Sequence, residues 1–361
     1  MYQPNYEGIA HKIVRECARV QEDEGVVIIG RADSLSYCEL IALECHLVGA
    51  LPLITVASDE YNYRVVMETP LEFLRKAPRH VVALARASDL VISVGMQPQD
   101  PRRFADVPEE RVGAQRIGNK PVTDAILQTE GVRWLGTGYP TPQQAEMYGV
   151  PFEAFFETYW RAMDVDYSQL QARVARVAAV FEKSGQVRIT SPKGTDLTLS
   201  VEGRPALKDD GVIHEKALNL PSGEVCFAPL ESSAHGTVVF DLAFYRGHKI
   251  EDLVVRFEDG KAIPIEAKAG FDIFTDVLAH SHGAKDVIGE LGIGLNEQIR
   301  QAIGYMLTDE KIMGTVHIAL GENRFMGGVN ESDLHWDLLI LDPRVMVGDT
   351  LLMEGGEFLV G

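Results

Sequence analysis

His317, His335 and Asp337 fall within 21 residues, between apolar runs. Imidazole and carboxylate together are the usual ligand set for zinc, cobalt, manganese or iron. His335 and Asp337 are two apart in Asn330-Glu-Ser-Asp-Leu-His-Trp-Asp337, so on a strand both side chains leave the same face. His317 sits in Gly314-Thr-Val-His-Ile-Ala-Leu-Gly321, which reads as a buried strand ending at a glycine. Two neighbouring strands could therefore aim three ligands at one point. A lone histidine on an apolar strand is more often a satisfied core residue. The His-x-Asp pair adds a carboxylate at pleat spacing and brings the chemical reading level with that plainer one.

Two upstream glutamates occupy settings that would hold them still. Asn219-Leu-Pro-Ser-Gly-Glu224 puts a carboxylate just after a Pro/Gly turn, at the start of an apolar segment. Gly289-Glu290-Leu-Gly-Ile-Gly294 places another among three glycines, which permit tight backbone approach or positive φ. For either alone the plainer reading is an exposed turn carboxylate. His280-Ser-His282 has the look of a ligand pair but reads better as an exposed loop, and His235 and His248 have no evident partner. Glu231 and Asp241 follow Glu224 and could orient ligands from behind. Met306, Met313, Met326 and Met346 read as core filler rather than soft-metal ligands.

The elements that must position these residues divide the chain in two. With 361 residues, it is too long for one typical core. Apolar spacing at Ile9, Ile13, Val14, Cys17 and Val20 predicts a helix, and Gly25–Gly30 a short strand. An amphipathic helix over Ser36–Val48 and strands at Ala50–Ala57 and Ala87–Gly95 follow. Strands alternating with helices predict a parallel sheet covered on both faces. The aromatic run Phe152–Trp160 reads as packing. Tyr167–Lys183 reads as a long amphipathic helix leading out of this domain. Beyond it, Val187–Thr190, Asp196–Val201 and Leu253–Glu258 alternate with period two, and Glu258-Asp-Gly-Lys-Ala reads as a hairpin turn. The expectation is an α/β domain over 1–185, covering substrate or mediating assembly. A metal-binding catalytic domain rich in antiparallel sheet then spans 186–361.

Composition narrows the functions. A net charge of −19 argues against nucleic acid, whose phosphates need Lys and Arg. Gly30-Arg-Ala-Asp-Ser lacks the dinucleotide glycine pattern, and nothing matches a P-loop, so no nucleotide cofactor is expected. Four cysteines without paired spacing read as reduced thiols. The N-terminus lacks a basic segment followed by an apolar one, and no apolar run reaches membrane-spanning length. A soluble cytoplasmic protein without membrane partners is expected.

The ordered series Asn-Leu-Pro-Ser-Gly-Glu224, Gly-Glu290-Leu-Gly-Ile-Gly, His317-Ile-Ala-Leu-Gly and His335-Trp-Asp337 resembles the signature of the aminopeptidase T/aminopeptidase S family of metallo-aminopeptidases. These motifs cover about the last 140 residues; the N-terminal half agrees only in general pattern. The resemblance implies two divalent metals, zinc, cobalt or magnesium, on Glu224, Glu290, His317, His335 and Asp337, with Glu290 as bridge. It also implies peptide substrates, a two-domain α/β subunit and a homodimer. Elementary chemistry agrees: a metal lowers the pKa of bound water toward about 7, and two metals can hold both hydroxide and carbonyl oxygen. A free α-amino group pairing with metal or acid would select the N-terminal residue.

The chain departs from the family in one place. Gly321-Glu-Asn-Arg-Phe-Met-Gly-Gly328 lacks the tyrosine that usually follows the first histidine. Phe325 cannot donate a hydrogen bond, and Arg324 is the candidate to supply the missing positive group. His317, His335 and Asp337 also make a two-His-one-carboxylate triad suited to non-haem Fe(II). A ring-opening dihydroxypyridine dioxygenase resembles this family in those positions and is expected to lack the two glutamates. Their retention favours two metals and hydrolysis. A non-catalytic binding homologue rests on the lost tyrosine alone.

Overall fold

The computed structural model describes residues 2–214, 216–245 and 248–359. The chain forms two compact units, Met1–Asp164 with Gly211–Pro221, and Val165–Asp210 with Ser222–Gly361. No helix among the described residues is long and apolar enough to cross a membrane.

The first unit is built on a parallel sheet in the order Leu51–Ala57, Gly25–Arg31, Leu90–Val94, Arg133–Thr137, Ala217–Leu220. Its central strands are near-continuous apolar runs: Val26, Val27, Ile28, Leu90, Val91 and Ile92 are all buried. Strands packed on both faces require that composition. Leu51–Ala57 lies at the sheet edge, where Pro52 is tolerated because one row of amides needs no strand partner. The crossover Leu35–Leu47 is the helix expected over Ser36–Val48. The aromatic run is core, as read: Trp160 is fully buried and meets Tyr6, Tyr37 and Tyr159 edge-on. The fifth strand, Ala217–Leu220, comes from far along the chain, and only four residues carry it.

The second unit carries a large antiparallel sheet, the class that the period-two alternation predicts. Helix Tyr167–Phe181 belongs to this unit; Asp166 caps it by accepting from the amides of Ser168 and Gln169. Five neighbouring strands matter for the site: Leu207–Asp209, Glu224–Phe227, Ile288–Gly294, Val316–Gly321 and His335–Ile340. One face is apolar. Val225, Leu291, Ile293, Val316, Ile318 and Leu338 are all at 0% exposure there. Phe227 meets Phe181 of the helix with ring centroids 4.4 Å apart. Burying each such side chain is worth about 1.5–3 kcal/mol, so this face fixes the sheet's register.

Candidate metal centre

The opposite face is chemical. Residues directly across an antiparallel pair share a face, and register places Gly294 opposite Glu224, Gly292 opposite His317, Ala319 opposite Asp337 and Gly321 opposite His335. Each large ligand-type side chain therefore faces a glycine or alanine. The need is steric: a Cβ on Gly292 would come within 2.0 Å of the His317 ring. Glu290 reaches this face by plain alternation with Gly292, in unbroken register with Ala319 and His317. The ladder breaks just before it: Ile288 pairs with Leu320, so Gly289 is the extra residue of a bulge that turns Ile288 to the apolar side. Glu224 is set by the turn before it, where Gly223 has φ +137° and leaves room for Asn296 at a distance no Cβ allows.

The five residues converge. His317 Nε2 lies 3.2 Å from Glu290 Oε1 and 3.4 Å from Glu224 Oε2. His335 Nε2 lies 3.1 Å from Glu290 Oε2 and 3.6 Å from Asp337 Oδ1. Glu290 thus turns one oxygen toward each imidazole. Donor atoms of Glu224, Glu290 and His317 lie within 4.8 Å of one another, as do those of Glu290, His335 and Asp337. His335 Nδ1 bonds the Glu322 carbonyl at 2.7 Å, which leaves Nε2 for the cluster. Glu224 Oε2 is a buried acceptor without a hydrogen-bond partner. An orphaned carboxylate oxygen beside two imidazoles and two further carboxylates fits a divalent cation by its donor chemistry.

Electrostatics agree with that fit. Burial pushes Glu224 up to about 8, against the lowering influence of Lys311. Burial pushes Asp337 up to about 6. Burial would raise Glu290 too, but hydrogen bonds from His317 and His335 outweigh it and hold that carboxyl well below the usual range. Burial would lower both imidazoles, but the Glu290 hydrogen bond and the charge of Glu224 at His317, and the charge of Asp337 with the Glu290 hydrogen bond at His335, overcome it and carry both up to about 10. The cluster attracts positive charge strongly enough to keep protons on both rings.

The structure brings Glu224, Glu290, His317, His335 and Asp337 together but does not bring Arg324 to them. Its half-exposed guanidinium is held by Glu322 at 2.8 and 3.0 Å and by Glu331 at 3.2 Å. Phe325 does reach the site edge, with its ring 5.2 Å from that of His335. Glu231 anchors the loop behind them, accepting from Asn323 Nδ2, the Val329 amide and Arg204. Asp241 accepts from the Leu341 amide just past the His335 strand. His282 pairs with Asp333 on the surface, as an exposed loop would, and His235 lies 3.6 Å from Asp259. The reading from sequence missed Lys311. It is 1% exposed, with Nζ 3.1 Å from Glu224 Oε1 and 3.4 Å from Asp209 Oδ2, and in contact with Glu310. In Asp309-Glu310-Lys311 it looks like any solvated charge run, and nothing in its neighbours signals burial.

A family model described as thermophilic metalloprotease (M29) matches residues 2–358. The chain is 26% identical to aminopeptidase T of Thermus aquaticus, over 98% of this chain and 96% of that one. It is 27% identical to aminopeptidase AmpS of Bacillus subtilis, over 89% and 88%. Among solved structures, wild-type AmpT from Thermus thermophilus superposes with a TM-score of 0.76 at 23% identity, covering 99% of both chains. The 2,5-dihydroxypyridine dioxygenase of Pseudomonas putida superposes with a TM-score of 0.67 at 16% identity, covering 99% and 97%. At these identities the two structures speak for the fold alone.

Proposed function

The chain belongs to the thermophilic metalloprotease (M29) family, and from that premise we propose that it is an aminopeptidase releasing the N-terminal residue of peptides. Two divalent cations, zinc, cobalt or magnesium, are held in this reading. Glu224, Glu290 and His317 hold one; Glu290, His335 and Asp337 hold the other. The observation that carries it is Glu290 with one oxygen toward each imidazole, shared by both donor sets. The names of the relatives, aminopeptidase T and AmpS, support the substrate class.

When bound, such cations lower the pKa of water toward about 7 and polarise a carbonyl. The chain's own residues do the rest. Glu290 is the carboxylate placed to accept a proton between the two sets. Glu224 and Asp337 balance the cations' charge. A free α-amino group pairing with a cation or an acidic group would select the N-terminal residue over an internal peptide bond, which makes the enzyme an exopeptidase. Phe325, 65% exposed, sets an apolar ring 5.2 Å from that of His335 at the edge of the site. The resemblance extends the reading to a homodimer.

The Fe(II) dioxygenase reading needs only His317, His335 and Asp337. It leaves Glu224 beside His317 without a purpose, so the hydrolase reading is preferred. The test is elemental analysis of purified protein with leucine and arginine p-nitroanilide assays before and after chelation. Two cations per chain, with hydrolysis lost on chelation and restored on their return, is the expected result. One iron per chain without hydrolysis would overturn it. Full loading without hydrolysis of any aminoacyl substrate would favour a binding homologue.

A further inference from the structure

We propose that Lys311 is a positioning residue that builds one of the two cation sites, that of Glu224, Glu290 and His317, by fixing the Glu224 carboxylate. The inference rests on the two-cation reading above. A lysine at 1% exposure is costly unless its ammonium is paired, and this one meets three carboxylates with its three donors: Glu224, Asp209 and Glu310. The contact with Glu224 takes Oε1 at 3.1 Å. Oε2 is then left as the orphaned acceptor, 3.4 Å from His317 Nε2. A glutamate carboxylate otherwise turns freely about its last torsion. The ammonium removes that freedom and presents one defined oxygen.

Charge points the same way. Ionised Glu224, Glu290, Asp337, Asp209 and Glu310 carry five negative charges, and Lys311 cancels one. The four that remain are what two divalent cations neutralise. Backbone contacts hold the lysine in place. The Lys311 carbonyl accepts from the Asn296 amide at 3.0 Å, and Asp309, two residues earlier, accepts from the amides of Ile303 and Gly304. Lys311 touches the first donor set and none of His335, Asp337 or Glu290 among its ion-pair partners. Its effect is therefore selective for one cation.

The sign of the effect separates positioning from bulk charge. Removing a positive charge alone would tighten cation binding, whereas loss of positioning weakens it. Metal-free full-length wild type and Lys311→Met are dialysed against graded free Zn2+, and bound zinc is measured by elemental analysis. One of two cations should bind about ten- to a hundredfold more weakly in the variant, with the other changed less than about threefold. Unchanged binding, tighter binding or equal weakening of both cations would overturn the proposal. If circular dichroism shows that Lys311→Met does not fold, Asp209→Asn is read instead. It removes one holder of the ammonium and should weaken the same cation to a lesser degree; wild-type affinity there is the overturning result. A wild type that binds fewer than two zinc ions ends the two-cation reading itself, a different failure from a wild type with two and a variant with two.

Discussion

The two donor sets share Glu290 but live in different surroundings. Around Glu224 and His317 everything is closed: His317 is 1% exposed, its ring rests over Gly292, and Lys311 stands behind. Around His335 the site is open. That side chain is 28% exposed, tied to the Glu322 carbonyl, and faces the exposed ring of Phe325. A substrate approaching from solvent meets the second set first. On the two-cation reading, the closed set supplies fixed geometry and the open set supplies access. A metal centre can be rigid and reachable at once if those tasks fall to different halves.

Removing the shared residue should have the largest effect. Glu290→Gln takes the carboxylate from both sets, and turnover of leucine p-nitroanilide should fall by at least ~10³-fold with both cations weakened. If elemental analysis found two cations at wild-type affinity, the shared role would be lost. Gly292→Ala attacks the closed half alone. Its methyl group would collide with the His317 ring. Overpacking of this kind costs about 1–3 kcal/mol, read by urea unfolding of the metal-free chain. One cation should be lost while the other stays; loss of both would blur the distinction between the halves.

Asp309 probes the segment that delivers Lys311. Burial pushes its carboxyl up to about 7, against hydrogen bonds from Ile303 and Gly304. Because that value lies above the ordinary 3.8, the native chain keeps a proton that the unfolded chain releases. The contribution is full below about pH 4 and is lost as pH rises through about 7. Relative to Asp309→Asn, wild type should lose roughly 1–4 kcal/mol of stability between pH ~4 and ~7.5. Parallel unfolding curves for the two proteins would show that the carboxyl is not strained by burial. The smallest effect is expected at Arg324. Its exposed pairing with Glu322 and Glu331 predicts that Arg324→Ala changes turnover by less than about threefold. A tenfold loss would restore it as the charge-stabilising group and move the open half's boundary outward.

The parts legible in the sequence were those with a period. Gly25–Gly30 and Ala87–Gly95 alternated with helical patterns and so announced a parallel sheet, whose central strands Gly25–Arg31 and Leu90–Val94 fall on them. His335-Trp-Asp337 carried enough pattern to suggest a shared face, and register puts both on one; Glu290 among glycines read only as a held carboxylate, and the same register brings it to that face. What stayed hidden has no local signature. Ala217–Leu220 joins the first sheet across a long stretch of chain, and four residues are too few to show a period. Lys311 is written as a surface charge and becomes interior only because two distant carboxylates, Asp209 and Glu224, join its neighbour Glu310 around it. Arg324 reads as a free cation, yet Glu322, two residues before it, already holds it.

The unbroken register from Glu290 to Ile293 sets a rule on chain length. Removing one residue within it would send the Glu290 side chain to the same side as Ile318, into the apolar layer against which Phe181 packs. Loops elsewhere can gain or lose residues at little cost, but excision of Leu291 alone would take a carboxylate out of the heart of the cluster and set it among hydrocarbons. The protein's chemistry therefore depends on parity as well as on residue type.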